Sequence, residues 1–325
     1  MGDTFGYNAA IGWGVESPWG TAVAVDKFAE VISMDIKKTV ERQESPSTRG
    51  LSERRRQDFL ISVAGSFETE FIYTGMERLL RHLFGASSSA VIPASVDGFR
   101  HKFTLADAML PGLTLETNRG DSAASQTSKF AGCKLTSATL SYTPNDPLKV
   151  TWNLVGKDET LVNETAVVYP DYSGIQLAKG HHITCEFDDS VVAIDSFELT
   201  IENGLDAAKR VLGSQNVDEP IRSERRKVTG TLTLDWVSTV NYLKYINNTA
   251  TKLEIIATGT DMGNDTNDPL ALKLIMPSVR FDGESPAVSG PGIVKQVMPF
   301  YALSTGTGTS DSIHGELDNM TTSAV

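Results

Sequence analysis

Histidine, cysteine and paired carboxylates are the residue types in this chain whose spacing could do chemistry. His182 and Cys185 stand two residues apart, with His181 adjacent, which could begin a zinc site. A closed zinc site takes about four ligands, and beyond these only Cys133 and isolated histidines are left, with no second paired motif. Glu68 and Glu70, or Asp188 and Asp189, could act as general acid and base. The first pair also falls where the solvated face of a strand carries charge anyway. No Gly-x-Ser-x-Gly elbow, phosphate loop or His-Glu-x-x-His occurs. Gly12-x-Gly14 and Gly306-x-Gly308 lack the strand-to-helix setting of a phosphate cradle. The expectation is therefore no enzyme, no metal and no cofactor. The cluster Arg54-Arg55-Arg56 could contact nucleic acid, but acids flank it, and the chain carries 29 Lys+Arg against 41 Asp+Glu, a net charge of −12. A general nucleic-acid coat has the opposite sign. Mixed-sign clusters on long loops suit protein–protein contacts, where charge fixes register; a plain solvated loop is the alternative.

The elements that must carry these residues come in two copies. Residues 63–71 read VAGSFETEF and residues 228–236 read VTGTLTLDW, at a constant offset of 165. Valine matches valine, glycine matches glycine, hydroxyls and acids match, and a large aromatic closes each. Internal repeats mark a structural unit used again, and 325 residues hold two units of roughly 150. In the first copy a strand over Phe28–Val40 leads into a long polar loop from Glu41 to Asp58. Period-two alternation then gives a strand over Phe59–Phe71. Thr74 and Glu77 read as a capping box for a helix bearing Met76, Leu79, Leu80 and Leu83 and ended by Gly85. Strands follow near Lys134–Tyr142 and Leu148–Val155, joined by a turn at Thr143–Pro147. The second copy repeats the order: a strand over Val192–Ile201, a long loop from Asn203 to Arg222, the Val228–Trp236 strand, a helix capped by Ser238 with Val240, Leu243 and Ile246, and strands over Leu270–Phe281 and Ile293–Leu303. Trp152 and Trp236 sit in strand patterns and read as core. Residues 1–22 read as an ordered arm, 158–184 as a connector and 304–325 as a polar tail.

Two cysteines form no disulfide framework, the N-terminus has no secretory pattern, and no apolar run approaches a membrane span. The fold class is mainly β.

With the repeat in view, the chain resembles the tail tube proteins of tailed bacteriophages, in the version with two tandem tube domains. Gly12-Trp13-Gly14-Val15-Glu16-Ser17-Pro18-Trp19-Gly20-Thr21-Ala22 is similar to the family's opening. Phe197–Asn203, Val211-Leu212-Gly213-Ser214 and Arg226–Thr231 are similar to its strand–loop–strand passage. The first copy has no Val-Leu-Gly-Ser counterpart, a departure that bears on its loop. The resemblance implies two β-sandwich or half-barrel domains, over 23–157 and 185–303, each with a short flanking helix and a long inter-strand loop. It implies rings of three chains with pseudo-six-fold symmetry, stacked into a hollow tube in the virion after assembly in the host cytoplasm. Partners would be other copies of the chain, a tape-measure protein, and terminator and distal tail proteins; DNA would pass without specific binding, and no membrane is involved. Loops carrying Arg42, Arg49, Arg54, Arg55, Arg56, Lys209, Arg210, Arg225 and Arg226 would meet neighbouring subunits or rings. Glu68, Glu70 and Asp235 would face the lumen, because their neighbours Phe67, Phe71, Leu234 and Trp236 face a core. The alternatives are a baseplate-hub or secretion-tube protein of the same fold, or a carbohydrate-binding β-sandwich used in adsorption.

Overall fold

The computed structural model describes residues 6, 9–44, 56–92, 98–119, 127–167, 177–262, 268–288 and 290–321. The first half contributes β1 (Ala9–Val15), β2 (Lys27–Glu30), β3 (Ser33–Glu44), β4 (Arg56–Glu70), helix α1 (Glu77–Phe84), β5 (Gly85–Val91), β6 (Phe99–Leu105), β7 (Leu113–Arg119), β8 (Thr127–Tyr142), β9 (Lys149–Gly156) and β10 (Asp158–Val162). The second half contributes β11 (Ile183–Phe187), β12 (Ser190–Val192), β13 (Ser196–Glu202), β14 (Lys227–Asp235), helix α2 (Thr239–Ile246), β15 (Thr251–Asp261), β16 (Pro269–Phe281), β17 (Lys295–Ala302) and β18 (His314–Asn319).

The pairing repeats strand for strand. One sheet of the first half runs β2-β1-β7-β8-β10, and its counterpart runs β12-β11-β15-β16-β18. The other sheet runs β3-β4-β9-β8, and its counterpart β13-β14-β17-β16. β8 serves both sheets: Thr127–Cys133 pairs with β7 and β10, and from Lys134 onward the strand pairs with β9. This corner-turning strand makes each half a sandwich around one apolar layer. Among the described strands, those of the β5–β6 hairpin have no counterpart; β6 pairs with β18 and so ties the two halves together. A second joint is made by β8 and β13, which pair from Ser137↔Glu202 to Tyr142↔Phe197. The result is one continuous inner sheet, β3-β4-β9-β8-β13-β14-β17-β16. Among the described residues it does not close into a barrel, and no strand pairs with the outer side of β3.

The shared Val-x-Gly pattern has a steric cause. A Cβ on Gly65 would lie 2.0 Å from the Asp35 carbonyl oxygen, and one on Gly230 would lie 2.4 Å from the Glu198 carbonyl oxygen and 2.5 Å from the Phe300 ring. Both glycines let the preceding strand's backbone press close, as in β3 against β4 and β13 against β14. Gly230→Ala is expected to cost about 1–3 kcal/mol, the usual penalty for forcing atoms into packed space, read as a lower urea midpoint at an unchanged slope.

The N-terminal motif is explained by a buried carboxylate. Glu16, fully buried, accepts from Gly132 N (2.7 Å), Gly20 N (2.7 Å) and Thr114 Oγ1 (2.9 Å), while Trp19 Nε1 donates to Gly132 O (3.0 Å). These bonds hold the segment after β1 against β7 and β8.

Several expectations need correcting. The loop expected from Glu41 to Asp58 is shorter, because Glu41–Glu44 belong to β3 and Arg56–Asp58 to β4, paired down to Glu44↔Arg56. This end of the hairpin is exposed on both faces, so no apolar alternation marks it. The Thr74/Glu77 capping box is not formed: the helix begins at Glu77 with Met76 as its N-cap, and the Glu77 carboxylate accepts from Gly75 N. Gly85 ends the helix in the left-handed region (φ 100°), as expected, and Ser238 caps α2 by accepting from Val240 N. The segments expected as arm, connector and tail each supply a strand: β1, β10 and β18. β18 is buried, with Ile313 and Leu317 in the core. Trp152 is core, stacked on Phe67 at 6.4 Å, but Trp236 is half-buried and packs edge-on to Tyr242 of α2.

Candidate functional site

The acid pairs considered first have structural roles. Asp188 and Asp189 form the two-residue turn between β11 and β12 with φ of 49° and 63°, the left-handed pair that a tight hairpin needs. Asp188 accepts from Lys244 Nζ (2.8 Å) and Lys252 N (2.9 Å), which hold its carboxyl below the usual range against the opposing effect of desolvation. Among the described residues one cluster, Glu186, Asp189 and Glu254, has ligand spacing, and Lys252 Nζ bonds two of the three. Neither His182 nor Cys185 belongs to it; the Cys185 thiol is buried and pushed up to about 12 by desolvation. A cleft of about 500 Å³ beside Met76 is lined by Glu30 and Glu70 among apolar side chains. Among the described residues its lining holds no histidine, cysteine or serine.

The extended feature is the polar face of the inner sheet. Period-two burial puts Phe67, Leu140, Trp152, Leu199 and Leu232 into the core. The alternate residues face the other way. One row across the sheet reads Ser33, Glu68, Thr151, Thr139, Thr200, Thr229, Tyr301, Arg280. Thr139 and Thr200 share a hydrogen bond at 3.0 Å across the β8–β13 joint, and Asn153 donates to Ser137 at 3.0 Å. The charges on this face are largely matched: Glu70 lies opposite Lys149, Glu202 opposite Lys227, and Asp235 bonds Lys295 at 2.5 Å. Glu68 and Glu198 lie opposite hydroxyls, Thr151 and Thr231. Glu68, Glu70 and Asp235 thus alternate with core residues and share a hydroxyl-rich, weakly acidic surface. Lys149, Lys227 and Lys295 on this face each lie against a carboxylate, which offsets the attraction a phosphate backbone would feel.

The expected loop residues divide. Arg49, Arg54 and Arg55 lie outside the described residues. Arg42 is in β3, ion-paired with Asp58 at 2.8 Å, and Arg56 opens β4, exposed. In the second half, residues 203–226 do form a long connection. Lys209 pairs with Asp218 at 2.7 Å and Arg225 is exposed. Arg210 has Nε and Nη1 shielded without a hydrogen bond among the described residues. Arg226 turns into the joint between the two halves of its own chain. Its guanidinium donates to Ala106 O (2.7 Å), Phe84 O (3.2 Å) and Asn203 Oδ1 (3.2 Å). Burial, with the nearby charge of Arg222, lowers its pKa to about 10. Arg222, which the sequence did not single out, bonds Asn203 O and Ala106 O beside it. The loop tip leaves Leu212 fully exposed.

The two helices differ sharply. α1 buries Leu79, Leu80, Leu83 and Phe84, whereas α2 buries no residue. Val237, Val240, Leu243 and Ile246 are all exposed, Val240 by 62 %.

A family model described as phage tail tube protein matches residues 6–302. No curated protein matches the chain.

Proposed function

The chain belongs to the phage tail tube protein family, and on that premise we propose that it polymerises as rings of three chains stacked into a hollow tube, the conduit for DNA at ejection. The observation that carries this reading is the joint between the halves. The last inner strand of the first repeat pairs with the first inner strand of the second, while at the opposite end no described strand pairs with the outer side of β3. A long open edge is a template for another chain, and a ring consumes every such edge. Each repeat, from β1 to β10 and from β11 to β18, acts as one tube unit, so three chains supply six units. The polar face with Glu68, Glu70 and Asp235 lines the lumen, where hydroxyls and balanced charge let DNA slide. The 203–226 loop, with Leu212 at its tip, and the arginines of the β3–β4 connection reach neighbouring subunits and rings. A tape-measure protein fills the lumen during assembly, and terminator and distal tail proteins close the ends.

Negative-stain electron microscopy of the purified full chain tests this. The expected images are rings of the mass of three chains and hollow polymers of uniform bore. A chain that stays monomeric at high concentration and binds glycan instead would sink the reading in favour of an adsorption module.

A further inference from the structure

The long connection after β13 carries a bare apolar tip, and hydrogen bonds fix its place along β4. Lys209 and Asp218 close its neck: Asp218 N donates to Lys209 O (3.1 Å), and Lys209 Nζ pairs with the Asp218 carboxylate (2.7 Å). Beyond the neck, Ser214 N donates to Val211 O (3.4 Å) across a turn in which Gly213 takes a left-handed φ of 89°. Ile61 N donates to Gln215 O (2.9 Å), and Gln215 Nε2 donates to Asp58 O (3.4 Å). The bridge between Ile61 and Asn216 is parallel. The chain before Asn216 therefore runs toward the N-terminal end of β4, away from Glu70. The tip stands in water, with Leu212 fully exposed and Val211 half exposed. Arg210 beside them has Nε and Nη1 without a hydrogen bond among the described residues.

At the other end of the same strand lies the cleft of about 500 Å³, lined by Glu70, the last residue of β4, together with Glu30, Ile32, Ile72, Met76 and Leu177. Lys149, opposite Glu70 in the ladder, is bonded to Asp146 (3.0 Å), and neither Glu30 nor Glu70 has a contact ion pair among the described residues. The run of β4 from Ile61 to Glu70 spans about 30 Å at the rise of an extended strand. Tip and cleft thus sit near opposite ends of one strand, and each supplies what the other lacks. The tip offers apolar side chains and a cation; the cleft offers apolar walls and two carboxylates. Contacts between two different patches, repeated along an axis, build an open filament. We infer that the Arg210–Leu212 tip of one copy of this chain docks in the Glu30/Glu70 cleft of the next copy along the tube, with Leu212 against Ile32, Ile72 and Met76 and Arg210 at the carboxylates. The inference rests on the self-assembly proposed above and names the contact between rings. Burial of Leu212 drives the association, complementary charge fixes its register, and the hydrogen-bonded neck lowers the cost of ordering the tip.

Variants of the full chain test it. Leu212→Asp should fold as wild type, because the side chain is already in water, and should still form rings, while its sedimentable polymer falls at least tenfold. In polymers of Leu212→Cys/Ile32→Cys, a short bismaleimide should give a ladder of linked chains that runs past trimers on a denaturing gel. Each single cysteine variant should give almost no links, since the contact joins two different patches. The native thiols Cys133 and Cys185 are buried and leave the background low. Three results overturn the docking contact and leave the tube reading intact: wild-type polymer yield from Leu212→Asp, loss of its rings along with its polymers, or links that are absent or stop at trimers. Failure of the wild-type chain itself to assemble overturns the tube reading, and the docking contact with it.

Discussion

Lys38→Pro is expected to abolish assembly and leave the monomer folded, while Ile201→Pro should unfold the chain. The two residues hold the same place in the two copies: Lys38 lies opposite Val63, and Ile201 opposite Val228. The direction of their peptide groups follows from neighbouring bonds. Phe71 N bonds Leu148 O, and Trp236 N bonds Val294 O, so in each copy the closing aromatic points its N–H at the strand on the far side. Alternation then aims the Val63 and Val228 peptides the same way, and the opposed Lys38 and Ile201 peptides point outward from their pair. For Ile201 the outward partner is β8, at Ala138; for Lys38 it is the open edge. Proline removes the N–H and is tolerated at sheet edges but not within sheets. Ile201→Pro loses a ladder bond and a fully buried side chain, and should cost about 3 kcal/mol or more. Lys38→Pro loses only a partly exposed ion pair with Asp158 (2.6 Å), about 1 kcal/mol or less. Urea unfolding checks the first half of the contrast and electron microscopy the second. An assembling Lys38→Pro chain would show that β3 is not the growing edge.

Whether a feature could be read from the sequence followed its burial pattern. The Val-x-Gly strands were legible because one face is apolar and the other polar for eight or more residues, and Gly85 and Ser238 announced their helix ends by residue type. The distal hairpin of β3 and β4 was not legible, because both its faces meet water and its residues are charged. β5 was hidden for a related reason: Gly85-Ala86-Ser87-Ser88-Ser89 has small side chains with low strand preference, and β6 recruits them by backbone pairing. β18 was hidden by His314, Glu316, Asp318 and Asn319, polar residues whose partners are distant in sequence. Asp318 bonds Arg100 at 2.7 Å, and His101 bonds Asn319 at 3.0 Å. A sequence read locally cannot pair residues 218 positions apart. The polar face of the inner sheet was legible as alternation. That its rows run unbroken across both repeats required the β8–β13 pairing, which no local pattern encodes. The same limit applies to Arg226: its type suggested a contact, and only the fold shows its bonds to Ala106, Phe84 and Asn203.

Acid should loosen this internal joint through His82. His82 lies in the last turn of α1, with Nδ1 bonded to Arg78 O at 2.8 Å and Nε2 buried with no partner within hydrogen-bond geometry among the described residues. That pattern fits the neutral ring with its proton on Nδ1. Burial, with the charge of Arg81 adding to it, lowers the pKa to about 4, from about 6.5 in an unfolded chain. Between those values the unfolded chain takes up a proton that the folded chain refuses. Stability is therefore full above about pH 6.5 and falls as pH drops toward 4. An interval of about 2.5 pH units at about 1.4 kcal/mol each gives about 3.5 kcal/mol over the whole interval. His82→Gln should remove that share of the decline, measured as the difference between wild-type and variant unfolding free energies at pH 7 and pH 4.5. His314 and His182 are also lowered by desolvation and keep their own decline in both proteins, so the difference isolates His82. Equal slopes in the two proteins would show that the ring is solvated. Leu205, Arg222 and Arg226 line the same crevice as His82. A proton on this ring therefore adds positive charge to a crevice that already holds two half-buried guanidiniums at the contact between the two repeats.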